Sequence, residues 1–388
     1  MGIASVSSLS ANFSVKSGGI TPVTLWAQGD NRSGQLANNT TISRSSPIQL
    51  ASQGIPSYND QIIDGYGTVF LFKYNLKQLW GWGDDIAGVL GQNTQNSTSG
   101  RSSPVQIGAA ITWDKMPRTT DSNSMAGIDS SGKLWVWGRN NHGQLGINTT
   151  TDRSNPVQMG SDNWIKVESG GSHKVAIKSD NTLWGWGLNS TGELGQVTYR
   201  TNRSSPVQIG TATNWTQIAL ASNATFLLNS DGEIWCMGAN TYGELCTGDT
   251  IARSSPVQIP SGYGTWTNVI CAGFASGAQM FGINSNGYTY FWGRDPNTGI
   301  SGLGLNINRS APTQIPGKIF SKLYVSSANA LGMEPNGNLW TWGNNNSAQL
   351  GQLNNTINKS SPVQVFTNYR IHNAWFAGQQ TLYILRLT

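Results

Sequence analysis

Leu183-Trp184-Gly185-Trp186-Gly187 sets two tryptophans two residues apart, and the word returns along the whole chain. Variants stand at Leu25–Gly29, Leu79–Gly83, Leu134–Gly138, Ile234–Gly238, Thr289–Gly293 and Leu339–Gly343. Residues two apart share one face of a strand. A second word, Ser-Pro-Val-Gln or a close variant, carries Pro47, Pro104, Pro156, Pro206, Pro256, Pro312 and Pro362. Each word occurs seven times, at spacings of 49 to 57 residues. A third, Gly-Gln-Leu-Gly, lies between them. It is clear at Gly143–Gly146, Gly192–Gly195 and Ala348–Gly351, and degraded at Gly34–Ala37 and Gly302–Leu305.

A period near 50 residues suits either propeller blades or arrays of helix pairs. The turns decide between them. Ser179-Asp180-Asn181 recurs as Ser230-Asp231-Gly232, Ser285-Asn286-Gly287 and Pro335-Asn336-Gly337. Asp-Gly and Asn-Gly supply the positive φ angles of tight hairpins. In the fourth copy the strands read as Trp164–Glu168, His173–Lys178, Thr182–Gly187 and Pro206–Ile209. Proline opening the fourth strand suits an outer edge, where no ladder bond is lost. The fold class is therefore all-β, a seven-bladed β-propeller of four-stranded blades.

Residues 20–50 supply only a third and a fourth strand. Ala377-Gly378-Gln379-Gln380-Thr381-Leu382-Tyr383-Ile384-Leu385 matches Ser169–Ile177 and supplies a second strand with no Trp-x-Trp after it. N- and C-terminal strands are expected to close the ring as one composite blade, leaving no free edge. Residues 20–388 read as a single propeller domain, and the Ser-rich residues 1–19 as a flexible or partner-bound arm. Of the 16 tryptophans, 15 sit in repeat positions. Burying one is worth about 2–3 kcal/mol, so the set packs blade on blade.

Only 11% of the 388 residues are charged, against about 25% in ordinary domains. The formal net charge of +5 has no basic run behind it, so no nucleic-acid partner is expected. Cys236, Cys246 and Cys271 form no Cys-x-x-Cys, which excludes a sequence-evident zinc site or disulfide framework. Cys236 and Cys246 read as substitutions at repeat Trp and Gly positions. Met1–Val6 has no secretory pattern, and no apolar run nears the roughly 20 residues of a membrane helix. The expected location is a virion or the cytoplasm. The Asn-x-Ser/Thr words read as loop composition.

Neither catalytic, cofactor nor metal residues are expected, so the chain is read as no enzyme. His142, His173 and His372 have no acid or nucleophile beside them in sequence. Glu193 and Glu244 occupy the position that is Gln35, Gln144 or Gln349 elsewhere, which argues against acid–base work. The one candidate set is a basic residue three before every repeat proline: Arg44, Arg101, Arg153, Arg203, Arg253, Arg309 and Lys359. Seven-fold repetition places them as a ring on one face. One reading has each tie its long loop to backbone carbonyls. The other is a cationic collar for an acidic partner. Charges some 12 Å apart in water repel by only a few tenths of a kcal/mol, so the ring needs no ligand to exist.

The three words resemble the repeats of the regulator of chromosome condensation family, over residues 20–388. That resemblance implies a seven-bladed propeller. It implies function weakly, since the family spans an exchange factor for a small nuclear GTPase, a secreted β-lactamase inhibitor, and bacterial and bacteriophage proteins. The exchange factor uses a projecting hairpin, and no blade here is long enough for one. The low charge and Asn/Ser/Thr-rich loops suggest a binding or structural propeller of a bacteriophage virion. Its partners would be neighbouring virion proteins or a host-surface receptor. A GTPase exchange regulator and an enzyme inhibitor are the alternatives.

Overall fold

The structure is a computed structural model and describes residues 23–49, 60–65, 67–94, 100–118, 123–196, 201–272, 277–326, 328–352, 356–367, 371–377 and 381–387. The arm at 1–19 lies outside them. Seven four-stranded antiparallel sheets are arranged radially. Blade 4 shows the pattern: Trp164–Ser169, His173–Lys178, Leu183–Gly187 and Arg203–Gln208, each paired with the next. The first strands of successive blades touch around the axis, so they line the centre and the fourth strands form the rim. The first and third strands run one way. Their following loops therefore emerge on one face, which we term the loop face.

Blade 1 is composite. Val23–Gly29 and Arg44–Gln49 form its outer half, Ile371–Ala377 and Thr381–Leu387 its inner half. The seam runs unbroken from Val23 opposite Leu387 to Gly29 opposite Thr381.

Apolar side chains fill the wedges between blades. Trp82, Trp137, Trp186, Trp292 and Trp342, the second of each Trp-x-Trp, are fully buried. In blades 3, 4 and 6 the blade-opening tryptophan packs on it edge-on or tilted, as Trp164 does on Trp186 at 5.8 Å and Trp113 on Trp137 at 5.5 Å. Such ring pairs add about 0.5–1.5 kcal/mol beyond area burial.

Each buried indole is also a plug in the preceding blade's loop. Trp82 Nε1 donates to Gln35 O, Trp137 to Val89 O, Trp186 to Gln144 O, Trp292 to Glu244 O and Trp342 to Ile300 O, at 2.7–3.0 Å. Blades 1 and 5 lack that tryptophan. Gln28 Nε2 reaches Ala348 O at 2.8 Å, and Thr225 Oγ1 reaches Glu193 O at 2.7 Å. The loop glycine makes the second half of the joint. Gly143 lies at φ +78°, and a Cβ there would sit 2.6 Å from Ser204 Cα of blade 4. Asn148 N then donates to Ser204 O at 2.7 Å. This close approach explains both the glycine and the small residue after each rim cation.

Three details differ from the sequence reading. The fourth strand begins at the basic residue, not at proline; Pro206 sits where the register slips between Arg203 opposite Gly187 and Val207 opposite Gly185. A bulge tolerates a residue without N–H. In blade 6 the Gly-Gln-Leu-Gly socket is Gly299–Gly302, because Trp342 bonds Ile300. Met237, not Cys236, stands at the second tryptophan position, as its pairing with Thr225 shows.

Candidate functional site

The long loops of the loop face are built alike. In blades 1 to 5 and 7 a buried residue at the start of the loop turns its side-chain oxygen onto the N–H five residues on: Asn31 onto Leu36, Asp85 onto Leu90, Asn140 onto Leu145, Asn189 onto Leu194, Asn240 onto Leu245 and Asn345 onto Leu350, at 2.7–3.1 Å. The asparagine amide also holds the far side of the loop. Asn140 Nδ2 donates to Thr149 O and Thr151 O at 2.8 and 3.1 Å. A loop stapled this way presents its outer side chains on a fixed backbone.

All seven basic residues start a fourth strand, each opposite the glycine that ends the third: Arg44–Gly29, Arg101–Gly83, Arg153–Gly138, Arg203–Gly187, Arg253–Gly238, Arg309–Gly293 and Lys359–Gly343. They thus share one face at the rim. Two of them tie down their own loop. Arg153 Nη1 donates to Asp152 O at 3.3 Å, and Arg253 to Ile251 O at 2.7 Å. Arg253 alone of the seven forms an ion pair among the described residues, with Asp249 at 2.6 Å. That partner, after the N–H of Ile251, holds the Asp249 carboxyl down at about 2.

Glu193, Glu244, His142 and His173 make contacts within the scaffold. Glu193 Oε2 accepts Thr191 N at 2.8 Å and Glu244 Oε2 accepts Tyr242 N at 2.7 Å. Gln35, Gln144 and Gln349 accept the matching N–H in their loops. The carboxylate does a glutamine's work. His142 Nδ1 lies 3.4 Å from Asn202 Nδ2, loop against loop. The His372 side chain lies outside the described residues.

His173 is fully buried between blades, with Nε2 3.1 Å from Thr225 Oγ1. Burial, and then the neighbouring Lys174 charge, push it down to about 3. The sign follows. Below its ordinary value near 6.5 the unfolded chain takes up a proton that the folded chain refuses until about 3. Stability is therefore lost as pH falls through that window, by up to about 1.4 kcal/mol per unit. Urea unfolding of wild type between pH 7 and 4 is expected to show about 3 kcal/mol more loss than His173→Gln. Gln279 fills the same register in blade 6. Equal slopes would reject the assignment.

The axis holds features that the repeat words do not announce. An inner strand has a free edge, and side chains of the preceding blade cap it. Gln61 Nε2 donates to Pro117 O, Lys166 Nζ to Thr216 O and Gln217 Nε2 to Thr267 O, at 2.8–2.9 Å. Burial, then the nearby Arg118 charge, bring Lys166 down to about 8. Arg118 itself crosses the centre. Its backbone N and Nε bind Glu168 at 2.8 and 3.2 Å, and its guanidinium reaches Ile218 O and Val269 O of the next two blades. One side chain from blade 3 thus pins blades 4, 5 and 6. Among the described residues no group of His, Cys, Asp and Glu could hold a metal ion, and no helix is long and apolar enough to cross a membrane.

Comparison with known proteins gives the same architecture. The Arabidopsis thaliana ultraviolet-B receptor UVR8 is 26% identical over 301 residues, 75% of this chain. That match spans 64% of the receptor's own length. Human WBSCR16 superimposes with a TM-score of 0.76 at 19% identity, over 94% of this chain and all of that one. Yeast RCC1 (Prp20), solved bound to Kap60, gives 0.77 at 15% identity over 95% of this chain and 89% of that one. At these identities the likeness is one of fold. The profile of the RCC1-like domain matches residues 24–383, nearly the whole propeller, and with its seven blades and five Trp-plugged joints the chain belongs to that family.

Proposed function

We propose that this chain is a non-enzymatic recognition propeller that binds a protein partner through its loop face. The observation that carries this reading is the ring of Arg44, Arg101, Arg153, Arg203, Arg253, Arg309 and Lys359 at the rim, with one of the seven neutralised by an acid among the described residues. Stapled loops cost little further ordering on binding, which favours their use as a contact surface. Proteins of this fold supply precedent, since Saccharomyces cerevisiae Prp20p was solved together with its binding properties to Gsp1p and histones.

A finer role divides two ways. Family membership supports a regulator of a small GTPase. A virion component, contacting neighbouring virion proteins or a host receptor, draws on loop composition alone. The test is capture of partners from host lysate and from purified particles by wild type and by a variant with Arg44, Arg309 and Lys359 changed to Ser. Retention by wild type is expected to fall at least about tenfold in the variant and to weaken with salt. Equal capture by both would reject the loop face as the contact surface. Nucleotide release from a GTPase panel is expected to be unchanged on mixing, and clear acceleration would replace simple binding by exchange.

A further inference from the structure

The rim of the loop face is not uniform. Two residues before the rim cation, four blades carry an isoleucine: Ile42, Ile251, Ile307 and Ile357. These side chains are 59%, 64%, 50% and 68% exposed. Blades 3 and 4 carry Thr151 and Thr201 there. Blades 5, 6, 7 and 1 follow one another around the axis, so the four isoleucines fall on one continuous arc.

The position does not need isoleucine to fold. Asn140 holds Thr151 O at 3.1 Å in the way that Asn31 and Asn240 hold Ile42 O and Ile251 O at 3.2 Å. The staple acts on the backbone and leaves the side chain in solvent. A single exposed apolar residue is ordinary on a protein surface. The same residue at the same place in four adjacent blades is a patterned surface. Beside each isoleucine stands a cation, Arg44, Arg253, Arg309 or Lys359. Arg44, Arg309 and Lys359 have no ion-pair partner among the described residues.

We infer that this arc is the docking strip for a protein segment in which carboxylates alternate with apolar side chains. The inference rests on the protein-binding reading above and narrows it to four of the seven blades. Charge complementarity sets the acid, and arginine favours a carboxylate through its two-pronged geometry. Spacing argues against a lipid surface. The apolar tips are single isoleucines on separate blades, whereas interfacial segments gather contiguous apolar residues with Trp or Phe.

The test selects peptides from a displayed random library on the immobilised full chain, then measures recovered peptides by fluorescence anisotropy. Recovered sequences should be rich in Asp or Glu together with Leu, Ile or Phe. Ile42→Thr, Ile251→Thr, Ile307→Thr and Ile357→Thr combined should weaken binding at least about tenfold, and so should Arg44→Ser, Arg309→Ser and Lys359→Ser combined. Thr151→Ser with Thr201→Ser should stay within about twofold. Thermal melts verify folding, which the threonines of blades 3 and 4 favour. Peptides that bind the isoleucine variant unchanged but lose affinity with Arg101→Ser, Arg153→Ser and Arg203→Ser overturn the arc and leave the loop face standing. Peptides indifferent to every rim cation, or no enrichment at all, overturn both. Co-sedimentation with phosphatidylcholine vesicles holding about a quarter phosphatidylserine, if lost in the isoleucine variant, assigns the arc to a membrane and overturns the proposal. Self-association by sedimentation velocity, if lost in that variant, assigns it to a second copy and does the same.

Discussion

Deleting residues 381–388 is expected to abolish cooperative folding. Thr381–Leu387 is hydrogen-bonded on both edges, to Ile371–Ala377 and to Val23–Gly29. Among the described residues it is the sole sheet link between the two chain ends. Without it the two halves of blade 1 part, and Val23–Gly29 and Ile371–Ala377 each gain an exposed edge. Leu382, fully buried against Leu350 and Ala374, is lost as well. The deletion should melt without a sharp transition or aggregate on purification. A circular permutant supplies the control. With new ends in the turn at 160–163 and the old ends joined by a flexible linker, the seam is kept and stability should stay within about 2 kcal/mol, since loop closure depends weakly on length. A deletion variant that melts sharply near the parent temperature would show that the seam contributes little.

The second large effect concerns the indole plug. Trp137→Ala should destabilise by about 4–6 kcal/mol. Truncating a buried tryptophan costs about 3–5 kcal/mol. Leaving Val89 O without its donor adds about 1 kcal/mol or more. Trp137→Met keeps most of the volume and should cost about 2–3 kcal/mol. Blade 5 shows the repair. There Met237 stands in the plug position and the paired Thr225 gives its hydroxyl to the orphaned carbonyl. The residue paired with Trp137 is Met125. Trp137→Met with Met125→Thr should therefore show favourable coupling of about 1 kcal/mol in a double-mutant cycle. Zero or unfavourable coupling would mean that the blade 5 pair is incidental.

What the sequence disclosed followed from repetition. Seven copies of Leu-Trp-x-Trp-Gly fixed the blade count, and the unmatched strands at either end of the repeat foretold the composite blade. The rim cations were legible for the same reason. Features present once were not. Arg118 works by reaching backbone carbonyls 100 and 151 residues away, and nothing local marks it. The straps Gln61, Lys166 and Gln217 share a role but not a residue type, because any long donor can cap a neighbouring edge. The isoleucine arc is hidden in the sequence because the position is apolar in only some repeats, and its exposure shows only in the folded loop. In sequence proline reads as a strand start, while in the fold a bulge lets it sit inside the fourth strand.

The asparagine staple has a consequence for how such a surface can change over generations. It grips main-chain carbonyls, so the residue gripped is free to vary: isoleucine at 42 and 251, threonine at 151. On the proposed reading, recognition and folding are then written in separate letters of each repeat. A lineage can exchange one specificity for another, blade by blade, without passing through an unstable ancestor.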